Sequence, residues 1–151
     1  MNTSCIPPKI VFVPIDASAT SPDGKAAITM TLPSGFVERQ GQWLFGTGMV
    51  ALIAFPAGTT TEQALENVAK LNKMPFDAAQ VKDTAPIAGL PAKTASGDVM
   101  FGATQYGYDL YALANPAGAY VVVSLQSSPS ILDAWRQQIM PALLNTVEVT
   151  Q

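Results

Sequence analysis

The 151-residue chain contains no histidine. That absence removes Ser-His and Cys-His nucleophile pairs, imidazole metal ligands and imidazole proton shuttles together. Its single cysteine, Cys5, excludes an internal disulfide and any multi-cysteine metal site. No cofactor, no metal and no catalytic residue are therefore expected. Asp16, Asp23, Asp77, Asp83, Asp98 and Asp133 mostly stand in turns or beside Gly and Pro, where aspartate serves turns and caps. Asp109 differs, because it falls within an apolar segment between Tyr108 and Leu110. We expect it to point to solvent, with a buried proton donor as the alternative. A Ser-Lys pair of Lys93 and Ser96 is not favoured by its spacing. Gly46-Thr47-Gly48 looks like half of a dinucleotide fingerprint, but it precedes a strand where a phosphate cradle follows one.

The aromatic residues carry the stronger signal. Trp43-Leu44-Phe45 lies between two glycine-containing segments, in a glycine-rich loop region, and Tyr106, Tyr108 and Tyr111 lie on one hairpin arm. Aromatic side chains offer large contact areas with few rotors, which suits binding surfaces. Trp43, Phe45, Tyr106 and Tyr108 are the candidate residues for binding a partner or ligand. Filling a sheet-helix interface is the competing role for each, and Trp135 is assigned to the core. Tyr106 and Tyr108 share a strand face, so they are expected to be buried or exposed together.

Composition bounds the partners. Charged residues make up 13% of the chain and hydrophobic ones 48%, with a net charge of −3. Arg39 and Arg136 are far apart and the lysines are scattered, so no nucleic-acid partner is expected. The apolar runs are too short or too interrupted for a membrane span of about 20 residues. No apolar segment precedes Cys5, so no signal peptide is legible. Removal of a leader would leave Cys5 as a lipid-attachment site and the chain periplasmic or envelope-associated. A free thiol on a frayed end and a cytoplasmic location are the alternative.

These residues have to be positioned by a fold. Residues 1–20 read as a tail and a first short strand, Ile10 to Ile15, and residues 21–151 as a single domain. Ser21-Pro22-Asp23-Gly24 is a turn. Ile28, Met30 and Leu32 alternate with threonines, as in a half-buried strand. Met49 to Phe55 is apolar throughout, which predicts a strand covered on both faces. Thr59-x-x-Glu62 matches a capping box opening a helix to about Lys73. Strands follow at Val81–Ile87, Val99–Gln105, Tyr106–Ala114 and Ala119–Gln126, with a turn at Ser96-Gly97-Asp98. Another turn at Asn115–Gly118 joins the last two, and Val121–Val123 marks a central strand. Ser128-Pro129 starts a second helix with Leu132, Trp135, Ile139 and Leu143 on one face, and Pro141 predicts a kink or break near Met140. Val147–Val149 is a terminal strand. The sum is an α+β fold, a mostly antiparallel sheet sandwiched by helices.

Asp23-Gly24-Lys25 followed by Ile28 to Phe36, with Leu32-Pro33-Ser34-Gly35-Phe36 as its turn, resembles the opening of the Mog1/PsbP-like proteins. Ala88-Gly89-Leu90-Pro91-Ala92 resembles their mid-chain turn. Leu143-Leu144-Asn145-Thr146-Val147, leading into a last strand, is similar to their close. The resemblance spans about residues 22 to 150 and is nearest the bacterial DcrB-like members, several of which are periplasmic lipoproteins. It implies an α/β/α sandwich. The superfamily includes binders of a small GTPase, photosystem subunits, envelope proteins and chaperones for secreted effectors, with no shared catalytic set. The expectation is a non-enzymatic binding or adaptor domain of a bacterial envelope or exported protein. Its partner would be a protein or a small apolar ligand, and it would be a monomer or homodimer. A cytoplasmic dimeric chaperone for a secreted effector is the first alternative, and a carboxylate-only hydrolase the second.

Overall fold

A computed structural model describes residues 15–151. Cys5 and residues 10–14 of the expected first strand lie outside the described residues. A seven-stranded antiparallel sheet forms the centre, in the order β3 (Val37–Arg39), β4 (Gln42–Phe45), β5 (Gly48–Phe55), β9 (Gly118–Gln126), β8 (Thr104–Asn115), β7 (Leu90–Phe101), β6 (Lys82–Ile87). A smaller sheet orders β1 (Ile15–Thr20), β2 (Ala27–Leu32) and β10 (Glu148–Val149). Helix α1 (Thr61–Leu71) carries the chain from β5 in the middle of the large sheet to β6 at its far edge. This is the expected α+β architecture.

The two faces of the large sheet bury different sets of side chains, as period-two strands require. On one face Val50, Leu52, Tyr111, Leu113, Tyr120 and Val122 pack against Ile28, Met30 and Leu32 of the small sheet and against the C-terminal helix. On the other, Leu110, Ala112, Val121 and Val123 meet Ala64, Leu65 and Val68 of α1. Every residue of β9 is buried, so it is the central strand its valines predict.

Strand β5 departs from expectation. Val50, Leu52 and Ala54 are buried, while Met49, Ala51, Ile53 and Phe55 are only half-buried. Helix α1 lies over β8 and β9 and stops short of β5. An all-apolar run shows that both faces are dry enough for carbon, but not what covers each.

Four local readings also shift. The capping box uses Thr60 and Gln63, one residue later than expected: the Gln63 N–H donates to Thr60 Oγ1 at 3.1 Å and the Thr60 N–H to Gln63 Oε1 at 3.0 Å. Three successive threonines make that register degenerate in sequence. Ser96-Gly97-Asp98 is no turn but the middle of β7, where Gly97 leaves room for the Tyr108 ring. The β7–β8 hairpin instead turns at Gly102, whose φ of 61° favours glycine. Trp43 stands on β4 and not in a loop.

The C-terminal helix widens without breaking. Helix α2 (Pro129–Ala134) and α3 (Met140–Leu144) are joined by a π-helical turn over Trp135–Ile139. The Met140 N–H bonds the Trp135 carbonyl five residues back. Pro141 has no N–H for the carbonyl four residues earlier and clashes with it, and the wider turn relieves both.

Candidate functional site

One end of the large sheet gathers the β4–β5 turn, the β7–β8 turn and the connection from β9 into α2. The turn and the connection are tied together: the Ser127 N–H and hydroxyl both donate to the Thr47 carbonyl, at 3.1 and 3.2 Å. The Thr47 hydroxyl donates in turn to Gln126 Oε1.

Because α1 leaves β5 half-covered, a groove of about 790 Å³ opens on that face. Its floor is Met49, Ala51, Ile53, Val123 and Leu125, and Leu44, Met74 and Tyr106 stand in its walls. None of its lining residues is charged, and its polar groups are the neutral side chains of Gln40, Gln42, Asn72, Thr104 and Ser127 among others. The Tyr106 ring is braced by Phe101 at 5.6 Å between centroids. Val37, which pairs with Leu44 across β3 and β4, is exposed beside the groove. A volume of this size, with apolar floor and uncharged polar rim, suits a neutral apolar guest. No charged side chain lines it to pair with a phosphate or carboxylate.

The four aromatic candidates are not brought together on one surface. Tyr106 lines the groove. Phe45 is 43% exposed but points to the opposite face, held between Phe36, whose ring is 5.0 Å away, and Gly35. Trp43 is buried in the core between the two sheets. Tyr108 is buried under α1, and its hydroxyl donates to the Pro75 carbonyl at 2.7 Å, tying the segment after α1 to the sheet. Trp43 and Tyr108 are thus supports of the surface and not part of it. Tyr106 and Tyr108 share a face, yet burial differs because Tyr106 lies nearer the open end.

Asp109 also corrects its expectation. It is 5% exposed and accepts from Arg136 Nε at 2.7 Å and from the Ser96 hydroxyl at 2.5 Å. The neighbouring Trp135 indole N–H donates to Ser124 Oγ at 2.7 Å. These two bonds fix the π-helical turn to β8 and β9. The same face holds Tyr111, whose phenol is pushed well above its ordinary value, first by burial and then by the Asp109 charge. The sequence shows a lone carboxylate on an apolar strand, but its partner Arg136 is brought to it only by the packing of the C-terminal helix on β8.

The remaining chemical candidates are dispersed. Lys93 pairs with Asp83 at 3.1 Å and Glu62 at 3.7 Å on the α1 side, while Ser96 bonds Asp109 on the other face. Among the described residues no three His, Cys, Asp or Glu side chains gather as a metal site. No helix among them is long and apolar enough to cross a membrane.

No protein-family model matches the sequence, and no curated protein matches it. Solved structures do. LpqN of Mycobacterium tuberculosis, a protein involved in cell envelope biogenesis, matches with a TM-score of 0.57 and 10% identity over 91% of this chain and 92% of its own. The cyanobacterial PsbP (CyanoP) of Synechocystis sp. PCC 6803 matches at 0.55 and 13%, over 97% of this chain and 98% of its own. The Saccharomyces cerevisiae Ran-binding protein Mog1p matches at 0.51 and 10%, over 91% and 96%. The chain also spans 48% of the length of a Bacteroides thetaiotaomicron protein, at a TM-score of 0.56 and 16% identity over 89% of this chain. These likenesses, at 10–16% identity, show the fold: the chain has the Mog1/PsbP-like fold.

Proposed function

We propose that this chain is a non-enzymatic binding or adaptor domain of a bacterial envelope or exported protein, and that it contacts a protein partner through the open end of its large sheet. The observation that carries the reading is the uncharged groove under Tyr106, left where α1 stops short of β5. Val37, exposed beside Leu44, extends its apolar character beyond the lining. Contiguous apolar surface of this kind marks interaction sites. A small apolar ligand is the alternative guest of the groove. LpqN by its role in envelope biogenesis and Mog1p by its binding of Ran support an adaptor reading. An extracytoplasmic location, with Cys5 as the lipid-attachment site, belongs to the same proposal.

A pull-down from the native host tests it, using wild type and a Tyr106→Ala, Val37→Ser variant. Both positions lie at the open face, so the variant keeps its fold, checked by circular dichroism. The reading expects at least one stoichiometric partner to be lost with the variant. Equal recovery of the same partners by both proteins would overturn it.

A further inference from the structure

Strand β1 begins at Ile15, which pairs with Leu32, the last residue of β2. In that antiparallel register Pro14 falls opposite Pro33. Neither proline has an N–H, so neither can donate to a further rung of the ladder. Residues 10–13, Ile-Val-Phe-Val, are apolar at every position. The facing prolines deny this run β2 as its partner, and four apolar side chains in succession gain by finding another cover.

An uncovered apolar surface stands on the same side of the large sheet, between the β4–β5 turn and the C-terminal helix. It is a cup of about 400 Å³ with Phe45 and Gly46 on one side and Ile131, Ala134 and Ile139 on the other, lined also by the buried Trp135. Phe45, Ile131 and Ile139 are 43%, 45% and 38% exposed. No lining residue is charged, and neither is any of residues 10–14.

The point where the chain enters β1 brings the run to this cup. Ile15 packs against the core cluster that contains Leu32, Phe36 and Trp135, so β1 and the cup share one side of the sheet. The groove under Tyr106 opens on the other side, with Val123 and Leu125. From Leu32 three residues lead to Gly35, and the Phe45 ring lies against Gly35. Three residues span at most about 11 Å and a cross-strand pair about 5 Å, so Ile15 starts within about 16 Å of the backbone that seats Phe45. Residues 10–14 reach up to about 18 Å.

We infer that residues 10–13 lie across this cup with the Phe12 ring over Ala134, so that the folded unit starts at Ile10 and not at Ile15. Ala134 contributes only a methyl group, which leaves room for one ring between Ile131 and Ile139, and Phe12 is the only ring in the run. Tethering favours this occupant over a separate molecule, because a short linker gives an effective concentration on the order of millimolar. The inference is independent of the groove and of any partner bound there.

The test uses the full chain labelled with ¹³C and ¹⁵N. The expected result is nuclear Overhauser contacts from the Phe12 ring to the methyl groups of Ile131 and Ile139. Phe12→Ser shifts the amide resonances of Ile131, Ala134 and Ile139 and leaves those of Ala51 and Ile53, in the groove, in place. Ala134→Trp, which fills the cup from an exposed position, abolishes the Phe12 contacts while the circular dichroism spectrum is kept. Tyr106→Ala leaves the contacts unchanged, which separates this result from the groove proposal. Absence of the contacts in the wild type leaves the cup to another molecule and overturns the inference, and so do contacts that survive Ala134→Trp undiminished. Contacts found only between differently labelled molecules in a mixed sample would place a second copy of this chain in the cup and also overturn it.

Discussion

Asp109 and Arg136 form the tightest charged contact among the described residues, and its strength is set by burial at one end. The carboxylate is almost fully buried, whereas the guanidinium side chain keeps 31% of its exposure. Arg136→Ala leaves the carboxylate with only the Ser96 hydroxyl, so it should destabilise the chain by roughly 2–4 kcal/mol, below the 3–5 of a fully buried pair. Urea denaturation checks the value, and Arg136→Lys should recover little of it because a single ammonium does not reproduce the geometry. At the surface, Asp23 accepts from the Ser21 hydroxyl at 2.5 Å and from the Lys25 N–H at 3.1 Å, and these bonds hold its carboxyl below the ordinary value. A lowered folded value means stability that is present above the unfolded value and is lost as the pH falls through the folded one. A ¹³C titration should place the Asp23 midpoint below about 3.9, and Ser21→Ala should raise it. The Asp23 turn was legible because its partners lie within two residues. Asp109 was not, because its partner is 27 residues away and only the register of β8 against the helix brings them together.

Among the elements, the C-terminal helix lies close against the sheet, and two glycines permit it. Gly48 and Gly107 both pair with Gln126, one on each side of β9. A Cβ at Gly48 would collide with the Trp135 ring, and one at Gly107 would meet Leu132 at 2.8 Å. Gly48→Ala should therefore destabilise by about 1–3 kcal/mol through overpacking and weaken the Trp135–Ser124 bond. The indole N–H resonance and a thermal melt report the two effects separately. At the other helix, Thr60→Ala should remove about 1 kcal/mol, while Thr59→Ala should be near neutral, since only Thr60 caps. The sequence marks both helix starts and the Asn115–Gly118 turn through short-range chemistry. It misplaces the β7–β8 turn because Gly97 and Gly102 look alike until Tyr108 is seen lying across one of them. Pro141 announces a disturbance, but whether the helix breaks or widens depends on Trp135 and Arg136 already being anchored.

The whole molecule is a sandwich whose large sheet is packed on one face by the small sheet and the C-terminal helix and on part of the other by α1. Patterning predicts the sandwich, since period two and the apolar β9 segment report burial. It could not predict the groove, because coverage of β5 depends on where α1 crosses. The core carries several buried tyrosines. Burial raises the phenols of Tyr108, Tyr111 and Tyr120 above their ordinary value. Groups that hold protons longer when folded stabilise the fold below the unfolded value, near 10, and lose that contribution as the pH rises further. The urea midpoint should thus fall between pH 9 and pH 11.

The central claim is that the open end of the sheet touches another protein. Photocrosslinking in the native host tests it most directly, with p-benzoylphenylalanine in place of Leu44 in the groove and, as control, in place of Ala57 at the opposite end of β5. The account predicts a discrete adduct of defined mass from position 44 and none from position 57. Adducts from neither position, or the same adducts from both, would contradict it.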